Sequence, residues 1–315
     1  MSFPSDFIEH QISSVDEAWK LLREKLPQFI DIYDMWYKWY DTIVSNNQIK
    51  QVVADVLVIS YARMALRNGS LSDNPRHYHS EKHTDDLIFR LVAVSQFPLS
   101  EKIPEYGWSL LSIFMSCHDL RQSEGGSNFD IIGNNEKASF KETLRIITTV
   151  DTNKCIYHEH KELLKLMIHG STFGEGKDNL GNIYQGNLVE YLVGLINYFE
   201  AVDLEIAFLA CDIDTANVAA NLKDYANSSI DVYREIQNLA DGSLSAYHFF
   251  GEQQEKYFFT YQQFNSSLGK QAFLQLKTNN EANLKFICNG MKKLDESISN
   301  EEVVDYYKKL VQSKL

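Results

Sequence analysis

An all-α fold follows from three features of the sequence. Apolar residues recur at helical spacing, strand-like alternation is rare, and the 315 residues hold only five Pro and fifteen Gly. The first long helical stretch is "SVDEAWKLLREKLPQFIDIYDMWYKWYDTIV", which opens on a Ser/Asp cap signal and is broken or kinked at Pro27. The second is "NQIKQVVADVLVISYARMALRNG", stopped by Gly69. A loop, "SLSDNPRHYH", comes next. Helical patterns return at 79–95, 105–121, 135–149, 157–170, 187–200 and 202–222. "SEGGSNFDIIGNN" and "GSTFGEGKDNLGN" are polar, Gly-rich breaks between them. From about residue 230 the pattern predicts three more helices. No repeat and no linker is evident, so residues 1–315 are expected to form a single helical domain.

The composition narrows the class further. Hydrophobic residues make up 44% and charged residues 23%, the balance of a globular protein. Eighteen Phe, seventeen Tyr and four Trp can bury a large core. A net charge of −13 argues against docking on a nucleic-acid duplex or an anionic membrane. A small phosphorylated substrate remains compatible, because a metal can reverse the local potential inside a cleft. Cys117, Cys155, Cys211 and Cys288 show no CxxC spacing, so neither a disulfide framework nor a Cys-based zinc site is expected. A reducing cytoplasm is the expected compartment. "MSFPSDFIEH" lacks the basic and apolar regions of a signal peptide. Apolar runs such as "VLVIS" fall far short of the ~20 residues a membrane helix needs.

The polar residues that interrupt this pattern carry the chemistry. In "RHYHSEKHTDDL", His79 and His83 stand four apart, which on a helix sets both imidazoles on one face. Imidazole is the commonest protein ligand for transition metals. Arg76 lies just ahead, at the expected helix mouth. The apolar stretch "LLSIFMSCHDLRQ" ends in His118–Asp119, and "FLACDIDTANV" is interrupted by Asp212 and Asp214. A carboxylate in such surroundings is costly to bury without a partner. Asp212 and Asp214 point ~200° apart on a helix, so only one can face a given point.

This order of residues resembles the metal-binding signature of the HD-domain superfamily of metal-dependent phosphohydrolases. "RHYHSEKH" is similar to the superfamily's YHxxxH stretch and, more distantly, to that of cyclic-nucleotide phosphodiesterases. "HDLRQSEGGSNFDIIGNNEKAS" resembles the HD pair followed by an Asn-Glu…Ser helix start, here Asn135, Glu136 and Ser139. "KLMIHGSTFG" is similar to the next histidine-bearing helix, and "ACDIDTANV" to the stretch with the last ligand. The resemblance covers about 74–222. It implies an HD-domain-like helical bundle, with helical additions at 1–73 and 223–315. The paired histidines and GYP element of cyclic-di-nucleotide phosphodiesterases are absent.

The resemblance implies a phosphohydrolase or phosphodiesterase acting on a nucleotide or other small phosphoester. One or two divalent ions (Mn, Mg, Zn, Fe or Co) would be held by His83, His118, Asp119 and Asp212, with Asp214 the alternative to Asp212. His79 would protonate the leaving oxygen. Glu136 would orient the water, or serve only as a helix-start carboxylate. His169 would hold a second ion or the phosphate, or sit in the core. Arg76, Lys82 and Arg121 are candidate phosphate partners. His158 and His160 read as surface residues, and His77 as a surface residue or one that supports a ligand from behind. The aromatic run 247–265 reads as core, as a dimer interface, or as a wall for a base with Gln262 or Gln263 at its edge. Two other readings remain: an HD-fold di-iron oxygenase, which needs further histidines, and a non-catalytic nucleotide-binding module.

Overall fold

The computed structural model describes residues 3–124, 131–178, 180–239 and 242–315. The chain begins with α1 (Phe7–Gln11), α2 (Val15–Lys25), α3 (Gln28–Ile43) and α4 (Asn47–Arg67). It continues through α5 (Glu81–Val94), α6 (Glu105–Cys117), α7 (Asn134–Val150) and α8 (His158–Gly170). A two-stranded antiparallel hairpin, β1 (Phe173–Lys177) and β2 (Ile183–Asn187), precedes α9 (Val189–Gly194) and α10 (Ala201–Asp214). After α11 (Leu222–Leu239), the short α12 (Ala246–His248) and α13 (Gln254–Lys256) alternate with π-turns at Phe249–Gln253 and Tyr257–Tyr261. The chain closes with α14 (Ser267–Met291) and α15 (Asn300–Gln312).

Local sequence explains many boundaries. Ser14 and Glu17 form a reciprocal capping box at the start of α2, and Ser299 and Glu302 do the same for α15. Pro27 separates α2 from α3. Three expectations need correction. The helix expected over 187–200 is confined to Val189–Gly194, after β2 ends at Asn187. The helix expected over 79–95 begins at Glu81, so His79 lies in the segment before it. The Gly-rich break "GSTFGEGKDNLGN" forms much of the hairpin, where Gly186 has φ of +79° and packs against the Tyr261 carbonyl. Part of the other Gly-rich break, residues 125–130, lies outside the described residues.

The helix α4 is buried on nearly all sides and packs against α2, α6 and α7. Its polar end meets a buried charge network. Arg63 and Arg67 flank Glu142 of α7 at 3.1 Å each. Arg67 also pairs with Asp6 at 2.9 Å, while Arg121 and Arg145 hold Glu9 at 3.1 and 2.6 Å. Buried charges persist only when paired and hydrogen-bonded. These bonds fasten α1 across α4 and α7. A smaller apolar cluster joins α11, α15 and the end of α14 through Ile230, Tyr307 and Met291. No helix among the described residues is long and apolar enough to cross a membrane.

Glu142 is the acid on which Arg63 and Arg67 converge. Glu142→Leu should therefore remove the counter-charge that the two share, leaving Arg63 with Glu9 and Arg67 with Asp6, and lower stability by about 3–5 kcal/mol, measured by urea unfolding. A loss below 1 kcal/mol would show that Glu142 does not hold the network together.

Candidate metal centre

Three helix termini meet at one point. His83 is in the first turn of α5, His118 directly follows α6, and Asp214 is the last residue of α10. The Nε2 atoms of His83 and His118 lie 3.2 and 3.4 Å from Asp214 Oδ1. Asp119 Oδ2 lies 3.0 Å from His118 Nε2, 3.6 Å from His83 Nε2 and 4.0 Å from His79 Nε2. His83, His118 and Asp214 each offer a ligand atom, all within 4.8 Å of one another, and this cluster can hold a metal ion.

The surroundings fix these directions. His118 Nδ1 donates to the Phe114 carbonyl at 3.1 Å, which turns Nε2 toward the cluster. That Nε2 is buried and has no hydrogen-bond partner. Two imidazoles beside carboxylates, one nitrogen unsatisfied, make a donor set that fits a first-row divalent ion. Arg67 donates to the Leu120 carbonyl at 2.8 Å, and Asn68 reaches the Asp119 carbonyl at 3.4 Å. Arg90 donates to the carbonyls of Ile213 and Asp214 at 3.1 and 3.0 Å.

Electrostatics reinforce the cluster. Burial opposes charge on His118, but Asp119 and Asp214 outweigh it and raise the imidazole pKa well above its ordinary value. Burial likewise opposes ionisation of Asp119 and Asp214, yet the neighbouring histidines hold both carboxyls below the usual range. Burial pushes Glu136 upward, as does the nearby Asp119.

The alternative aspartate takes the place expected of Asp212. The Asp212 carboxylate turns away and accepts from Asn265 N at 2.9 Å, Ser266 N at 2.8 Å and Ser266 Oγ at 2.5 Å. It thereby fastens the N-terminus of α14 to α10. Gly269 in the next turn has no room for a side chain, because a Cβ there would stand 2.2 Å from Asp212 Oδ2. Burial raises the Asp212 pKa to about 7 against these bonds.

A cavity of about 760 Å³ opens from the cluster. His79, Arg76 and Glu136 line it, together with Asp119 and Asp214. His79 Nδ1 donates to Glu235 Oε1 at 2.6 Å, and Glu235 Oε2 accepts from the backbone N–H groups of Tyr78 and His79 at 2.8 and 3.0 Å. Arg76 pairs with Glu235 at 3.0 Å and donates to Ser123 Oγ at 3.0 Å. Three other candidates lie elsewhere. Lys82 is exposed, with its charge toward Asp231. Arg121 is spent in the buried network beside Glu9 and Glu124. His169 lines a separate groove between α7 and α8.

The aromatic run supplies part of the cavity wall. Its π-turns place Phe249, Gln254, Tyr257 and Tyr261 on the lining, while Phe250, Phe258 and Phe264 enter the core. Gln262 is buried and donates to Thr215, so it does not take the edge position that the wall reading gave to Gln262 or Gln263. Gln254 does. Its Nε2 donates to Ser229 Oγ at 3.0 Å and to Tyr307 Oη at 2.8 Å. Ser229 spends its own proton on the Tyr225 carbonyl, which sets the amide orientation. Gln254 Oε1 is left buried with no partner.

Glu235 and Gln254 were not found from sequence. Glu235 lies on the buried stripe of α11, and its partner His79 is 156 residues away. The only local signal is a carboxylate on an otherwise apolar face. No family model and no curated protein matches the chain.

The two aspartates should separate cleanly. Asp214→Asn should abolish binding of a divalent ion, measured by calorimetry. Asp212→Asn should keep the ion and lower stability by about 1–3 kcal/mol, because it weakens a buried cap. The reverse pattern would refute the placement.

Proposed function

We propose that this protein is a metal-dependent phosphohydrolase acting on a small phosphoester, in keeping with its resemblance to the HD-domain superfamily. The observation that carries the reading is the His83–His118–Asp214 cluster, with Asp119 beside it, at the base of a large cavity. A divalent ion bound there supplies Lewis acidity toward a phosphoryl oxygen and a water molecule. His79 carries the proton for the leaving oxygen at Nε2, since Nδ1 is committed to Glu235. Glu235 is a positioning residue that sets the orientation of that ring. Glu136, its carboxyl pushed up by burial, is suited to hold a water or a phosphate hydroxyl. Arg76 offers positive charge at the cavity wall while neutralising Glu235.

The histidines that an oxygen-activating second ion would need lie elsewhere: His158 and His169 line the α7–α8 groove, and His160 stacks on Tyr106. This favours hydrolysis over the di-iron reading. The cavity volume falls within the ~300–1,000 Å³ that organic ligands occupy, so the ester is expected to carry a sizeable alcohol. Tyr225, Val232 and Phe249 add apolar surface to the wall. Gln254 Oε1 there asks for an N–H donor, because an unpaired buried carbonyl costs free energy. A flat ring with an N–H edge meets both conditions, which supports a nucleotide over an alkyl phosphate.

The test is turnover of nitrophenyl phosphates, nucleoside monophosphates and cyclic nucleotides by protein loaded with Mn²⁺, Mg²⁺, Zn²⁺ or Co²⁺. Absence of turnover with every combination defeats the proposal. His79→Ala should lower turnover of a nucleotide by ~10²–10⁴ with metal content unchanged. The loss should shrink for a nitrophenyl ester, whose leaving oxygen needs no proton. Gln254→Met should raise KM for a nucleotide by about tenfold and leave nitrophenyl phosphate unaffected. Equal effects on both substrates would remove Gln254 from recognition.

A further inference from the structure

The α7–α8 groove is unlike the rest of this acidic chain. It is a recess of about 490 Å³. Lys137 and Lys141 line it from α7, and Lys161 and Lys165 from α8. His158, His169 and Asn134 add to the polar lining, with Glu162 the single carboxylate among the described residues that line it. Phe140 and Leu144 form an apolar floor, and Phe3 flanks it. Within each helix the two lysines are four residues apart, about 6 Å along the axis. Like charges one turn apart repel. Lys165 pairs with Glu162 at 3.4 Å. Lys141 and Lys161 have no ion pair among the described residues, so the two facing pairs still concentrate positive potential.

We infer that this groove is a second binding site, separate from the metal cluster, for a compact polyanion bearing two or more phosphate groups. Lysines from two facing helices, outnumbering the single Glu162, suit charge spread along a short chain of phosphates. A recess of this size favours a small molecule over a macromolecule. The −13 charge of the whole chain also disfavours extended docking of a nucleic acid or an anionic membrane. His169, left unused by the proposed chemistry, is the reporter of the site. Burial, with Lys165, Lys137 and Lys141 nearby, brings its pKa down to about 4. A polyanion among those lysines offsets the repulsion and should raise that pKa.

The test uses the full chain without added metal and inorganic tripolyphosphate as the probe, followed by calorimetry. The expected result is saturable one-to-one binding that weakens as salt is added. Lys141→Gln combined with Lys165→Gln should weaken it by about tenfold. Asp214→Asn should leave it unchanged. The His169 ring resonance should titrate at higher pH with the probe than without it. Thermal melting of the lysine variant, expected to match the parent, guards against misfolding, and each single variant should give an intermediate loss. No saturable binding overturns the inference. So does binding that ignores the lysine changes, or binding that disappears with Asp214→Asn alone.

Discussion

Two helices, α6 and α10, end inside the protein, and each leaves carbonyls without an intrahelical partner. Arg67 and Asn68 satisfy those that follow α6, and Arg90 those at the end of α10. The site depends on this constraint. Because the two termini are held by donors from α4 and α5, the side chains at the ends project into one space. His118, Asp119 and Asp214 therefore meet without any of them being adjacent to His83 in sequence.

Charge is distributed in layers around that meeting point. The innermost layer pairs imidazoles with carboxylates, and a bound cation would complete it. Next come His79, Glu235 and Arg76, which balance one another along the cavity wall. The Arg63–Arg67–Glu142 network lies behind, where Arg67 joins both layers by bonding Glu142 and the Leu120 carbonyl. Removal of a charge from the outer network would thus be felt in the turn that carries His118 and Asp119.

Much of the helical framework was legible in the sequence, because helix periodicity, caps and breakers act locally. The stretch after Ser14 and the break at Pro27 fall as expected. The hairpin was not legible: its residues are Gly-rich and polar, and Gly186 packs against the turn at Tyr261, far along the chain. Within the site, His118 and Asp119 stand out as polar residues in apolar surroundings, and His83 by its four-residue spacing from His79. Lys82 and Arg121 could not be sorted by that signal, since exposed and network-bound cations look alike in a sequence.

The sequence by itself determined the helical class and that one of two aspartates, 212 or 214, could face a given point. It also marked the aromatic run as a wall or a core without deciding between them. Only the tertiary structure decided that Asp214 faces the histidines, because Asp212 is held by Ser266, 54 residues further along the chain. It likewise decided that His79 rests on Glu235 and that the π-turns divide the aromatic run between core and cavity. The physical reason is common to all three. Periodicity fixes which way a side chain leaves its helix, but the hydrogen-bond partner waiting there comes from a distant segment.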